Sequence, residues 1–114
     1  MIDVIIHKAR DHYTGFSVKG HAGYAEQGKD IVCAAVSALT LTLENSLAVL
    51  SGALLMEARY IGDEHPRFFI RSPNNKSDLL IEAFKIGIEG IQEEHPEYVK
   101  LHLETLGAFI VSKT

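Results

Sequence analysis

The amino-acid order predicts an α+β domain, with elements in the sequence ββαββαβ and an antiparallel or mixed sheet carrying two helices. Three observations predict it. Ile2 to His7 is strongly β-prone, and Phe16 and Val18 alternate with Ser17 and Lys19 at the two-residue period of a half-buried strand. From about Asp30 to Leu50 the apolar residues switch to spacings of three and four, the helical period. The same succession then returns, with β-prone runs, a second helical stretch and a closing β-prone run. At 114 residues, 46% hydrophobic and 23% charged, the chain reads as one domain spanning 1–114, without internal repeats or a low-complexity linker.

Each element has its own rationale. Arg10 to Gly15 is polar and ends in glycine, so the first two strands form a hairpin across it. In the first helix Val36, Leu39, Leu43, Leu47 and Leu50 share one face. Leu41 and Ala48 broaden it, so this helix is expected to be the more buried of the two. Asp30 suits its N-cap, and Gly52 falls where the chain should leave it. Leu54 to Ile61 and Arg67 to Arg71 read as two strands around the turn residues Gly-Asp-Glu-His-Pro. Ser77 is expected to cap a helix from about Asp78 to Glu94, with Leu80, Phe84, Ile88 and Ile91 inward. Gly87 and Gly90 each cost that helix about 1 kcal/mol, which suggests close approach to a neighbour. Pro96 ends it, and His95 before the proline is biased away from helical geometry. Val99 to Leu103 and Gly107 to Val111 supply one or two closing strands.

Composition narrows the function. No apolar run approaches the roughly 18 residues of a membrane span, and the N-terminus lacks the basic region of a signal peptide, so no membrane partner and a cytoplasmic location are expected. A net charge of −4 argues against direct nucleic-acid binding, which needs clustered Lys and Arg. The single cysteine excludes an internal disulfide and a multi-cysteine zinc site. Of the six histidines, His7, His12, His65, His95 and His102 show no helical metal-ligand spacing, and no glycine cluster fits a nucleotide loop, so neither metal nor cofactor is expected. Arg67, Phe68, Phe69 and Arg71 could stack RNA bases, but core packing of Phe68 and Ile70 explains the run more simply.

The chemistry concentrates in Gly20 to Leu39, GHAGYAEQGKDIVCAAVSAL. With Asp30 as N-cap, Cys33 is the third helical residue, where the positive end of the helix dipole favours a thiolate. His21, twelve positions earlier, closes the second strand and can accept the thiol proton, the arrangement of an activated cysteine nucleophile. The N–H groups of Cys33 and Ala34 are candidates to hold a developing oxyanion. Asp30 reads in two ways, as a plain cap or as the group that orients His21. The Ala22 to Lys29 segment, with Gly23 and Gly28, reads either as a mobile lid or as an ordinary connection. Against all of this, a lone cysteine in an apolar helix is commonly a small core residue.

Gly20-His21-Ala22, then Gly28-x-Asp30-Ile31-Val32-Cys33-Ala34, then Ser37-Ala38 resembles the signature of the ribosomal-processing cysteine protease family, Prp. The resemblance covers essentially the whole chain. It implies that His21 and Cys33 are the catalytic pair and that Asp30 and Ser37 support the site. It also implies a cytoplasmic homodimer that removes a short N-terminal extension from the precursor of the large-subunit ribosomal protein numbered twenty-seven. A non-catalytic ribosome- or RNA-associated module of the same fold is the alternative.

Overall fold

The computed structural model describes residues 1–20, 30–58 and 67–105. The elements are β1 (Ile2–Ala9), β2 (His12–Gly20), α1 (Ile31–Ser46), β3 (Leu55–Ala58), β4 (Arg67–Ile70), α2 (Asn75–Glu94) and β5 (Val99–Thr105). They follow the predicted ββαββαβ order. The sheet runs β3-β4-β2-β1-β5. Among the described strands only the β1–β5 pair is parallel, so the sheet is mixed.

Alternation in β1 sets the core. Ile2, Val4 and Ile6 point to the helix side and are at most 2% exposed, as β-strand pleating requires of every second residue. Phe16 and Val18, opposite Ile6 and Val4, continue the layer. The Phe16 ring stacks on Phe68 at 5.1 Å between centroids and meets Phe84 of α2 at 6.0 Å. Phe68 and Ile70 are therefore core residues, as the simpler reading of that strand holds.

Several local expectations are corrected. The first turn is shorter than predicted, because Ala9 pairs with His12 and leaves only Arg10, at φ 58°, and Asp11 to reverse the chain. Gly15 lies inside β2, where a Cβ would strike the Phe68 carbonyl of β4. Its role is close strand approach, not the turn. Asn74, not Ser77, caps α2, and the two form a capping box in which each side chain accepts from or donates to the other's backbone. Gly87 does mark close helix contact, since a Cβ there would lie 2.9 Å from Leu39 of α1, whereas Gly90 has open space.

The end of α1 departs most. Leu47–Ser51 is a π-helical turn, which advances the chain by less than the α-helical angle per residue. Ser51 swings inward and Leu50 outward, leaving Leu50 exposed; Leu41 and Ala48 are exposed as well. Ser51 Oγ donates to the Leu47 carbonyl at 2.6 Å and accepts from Ala53 N–H at 3.0 Å, so its burial is satisfied. Gly52 then exits in the left-handed region at φ 69°. By length and composition Ile31–Ser51 does reach the measure of a membrane-crossing helix, contrary to expectation. Here Val32, Val36, Leu43 and Leu47 seat it on the sheet, which accounts for its inward apolar half. Residues 59–66, with His65, and 107–111 lie outside the described residues.

Candidate active site

The α1 N-terminus forms as its sequence dictates. Asp30 takes extended geometry (φ −78°, ψ 101°) and its Oδ1 accepts from Cys33 N–H at 2.9 Å. That is an N-cap, the plainer of its two readings. Val32 and Val36, each 1% exposed, lock this turn onto the core and fix where Cys33 projects. The thiol is half-buried, with one side against the core. Both N–H groups expected to hold an oxyanion are engaged, that of Cys33 with the Asp30 carboxylate and that of Ala34 with the Asp30 carbonyl at 3.1 Å. The remaining donors of this turn are the N–H groups of Ile31 and Val32.

The strand that precedes His21 in the chain ends at Gly20. Gly20 closes β2 at φ 93°, and a Cβ there would collide with the Met1 carbonyl, so the glycine of the GHA run is a backbone requirement. His21 and the Ala22 to Lys29 segment lie outside the described residues. A groove of about 420 Å³ joins the two flanks of the motif. Val18, three residues before His21, lines it together with Phe68 from β4 and Glu57 from β3. Ser37, Thr40, Leu41 and Glu44 line it from α1. These α1 positions follow Cys33 at steps of four, seven, eight and eleven, so they continue its helical face.

The family described as cysteine protease Prp matches residues 1–100. The chain belongs to that family. It is 30% identical over 110 residues to the ribosomal processing cysteine protease Prp of Bacillus subtilis, covering 89% of this chain and 96% of that one. The Staphylococcus aureus protein of the same description is 30% identical over 92 residues, 78% of this chain and 85% of its own. The crystal structure of S. aureus Prp with a covalently linked product peptide superposes with a TM-score of 0.82 at 26% identity, covering 91% of this chain and all of that one. A second S. aureus Prp structure, with a substrate peptide, gives 0.70 at 27% identity and the same coverage. The protein is a cysteine protease of the α+β Prp fold.

Within this Prp chain, the histidines of the described residues serve the scaffold. His12 Nδ1 lies 2.6 Å from Asp78, and His102 Nε2 lies 2.9 Å from Asp3. His7 stacks on Phe69, with Nδ1 3.2 Å from Glu104 but out of line for a hydrogen bond. Among the described residues no group of three His, Cys, Asp or Glu side chains is placed to hold a metal. Of the groove residues, the sequence reading placed only Ser37 near the site; it took Leu41 as part of a broadened apolar face and Val18 and Phe68 as strand residues, and it did not single out Thr40, Glu44 or Glu57.

Proposed function

We propose that Cys33 and His21 are the catalytic dyad of an endopeptidase that removes the N-terminal extension of the large-subunit ribosomal protein numbered twenty-seven. One observation carries this reading most directly. Val18, three residues before His21, and Ser37, one helical turn beyond Cys33, line a single groove, which supports the reading that the two arms of the motif share one surface. The names of the relatives, ribosomal processing proteases, supply the substrate class.

Cys33 Sγ attacks the scissile carbonyl while His21 takes the thiol proton. Collapse of the tetrahedral oxyanion breaks the C–N bond, and His21 returns the proton to the leaving amine. Water then hydrolyses the thioester and restores the thiol. Because Asp30 holds the Cys33 N–H in this structure, the N–H groups of Ile31 and Val32 are the donors open to an oxyanion. Asp30 and Ser37 shape the site around the thiol, and no metal or other cofactor takes part.

This reading places the enzyme in the cytoplasm as a homodimer, acting on a protein partner and not on nucleic acid or a membrane. The net charge of −4 favours a basic ribosomal protein as partner. Val49, Leu50, Leu79 and Ile86 on the helices, all more than half exposed, favour a second copy covering that layer. The test is mass spectrometry of a peptide spanning the ribosomal-protein extension, incubated with wild type, Cys33→Ala and His21→Ala. A single cut by the wild type and by neither folded variant is expected. A cut that survives either substitution removes that residue from the dyad, and no cut by folded wild type overturns the substrate.

A further inference from the structure

We draw no further inference here: the strongest candidate, the exposed apolar face that Ile31, Leu41, Val49 and Leu50 give α1 and its closing π turn, carries nothing, because nothing in the structure shows what covers it and a second copy seated there would restate the homodimer already proposed.

Discussion

The two helices begin with the same local chemistry and use it for different ends. In α1 the Asp30 side chain accepts from Cys33 N–H at 2.9 Å, and in α2 the Asn74 side chain accepts from Ser77 N–H at 2.8 Å. Both third residues carry a Cβ–S or Cβ–O group of similar size. Ser77 Oγ turns back to accept from Asn74 N–H at 2.8 Å, closes the capping box and is fully buried. Cys33 closes no such box and stays half-buried against the core. Asn74 also donates from Nδ2 to the Ser51 carbonyl at 2.9 Å, tying α2 to the end of α1. One helix start is thus saturated with structural bonds, while the other leaves its thiol outside the cap. Capping geometry alone does not make a site; the proposed nucleophile is the third side chain that is spared from capping.

The sharpest way to break this contrast is to delete both third side chains. Cys33→Ala should lower cleavage by about 10⁴-fold or more, as loss of a nucleophile does, with little change in melting temperature. Ser77→Ala should do the opposite. It removes half of a buried capping box at a cost of about 1–2 kcal/mol, or about 4–8 °C in a domain near this size, leaving activity per folded molecule close to wild type. Peptide cleavage beside thermal unfolding of each variant checks both. If Ser77→Ala loses activity without losing stability, the division between a structural and a reactive helix start is wrong.

Glycines separate the same two regions. Gly20→Ala forces a Cβ against the Met1 carbonyl at φ 93°, so it should destabilise by more than about 2 kcal/mol in urea unfolding and depress cleavage through the displaced strand end. Gly90→Ala in α2 meets nothing within 4 Å and should stabilise by about 0.5–1 kcal/mol through helix propensity. Equal effects at the two positions would mean that the motif's first glycine has no conformational role.

Removing the caps themselves gives a smaller separation. Asn74→Ala should cost about 2 kcal/mol, since the Ser51 carbonyl loses its donor as well, and Asp30→Ala about 1 kcal/mol. Asp30→Asn should retain stability, because asparagine caps as well as aspartate. Any cleavage it loses then measures what the Asp30 charge does beyond capping, read as kcat/KM beside the unfolding midpoint.

Much of this was legible in the chain, and what was not has physical causes. The element order and the inward Phe84 and Ile88 of α2 follow from periodicity, which backbone geometry turns directly into faces, whereas Ile81, fully buried, was left out of the predicted stripe in favour of the partly buried Leu80. Leu50 was misplaced because a π turn breaks that periodicity without any marker in residue type. Gly15 was read as a turn because sequence shows a glycine's freedom and not the neighbouring carbonyl that demands it. Ser77 was read as the cap because both members of a capping box are good N-caps and only the backbone angles at Asn74 decide between them. The place of Cys33 as third residue of α1, behind the Asp30 cap, was legible from the order of residues around it. The groove was not, because Val18, Glu57 and Phe68 reach it from three strands far apart in the chain.

The smallest predicted effect concerns what acidic residues do at each helix start. The first turn of α1 holds no acidic residue, while that of α2 holds Asp78. Asp78 is committed to the β1–β2 hairpin, accepting from Tyr13 N–H at 2.9 Å and pairing with His12. One turn further on, Glu82 accepts from the Tyr13 hydroxyl. Burial first, and the Glu82 hydrogen bond and charge next, push the Tyr13 hydroxyl up to about 12 from 10.0, while that bond holds Glu82 below its ordinary range. A group whose pKa is raised on folding stabilises the fold fully below its unfolded value and loses that stabilisation as pH rises towards the folded one. The Tyr13 contribution is therefore intact below about pH 10 and disappears between about pH 10 and 12. Urea midpoints followed from pH 8.5 to 11.5 should fall more steeply for wild type than for Tyr13→Phe, with exposure of the pair keeping the difference modest. Parallel curves would mean that α2 does not hold the hairpin through Tyr13, and the contrast between the two helix starts would then rest on the capping box alone.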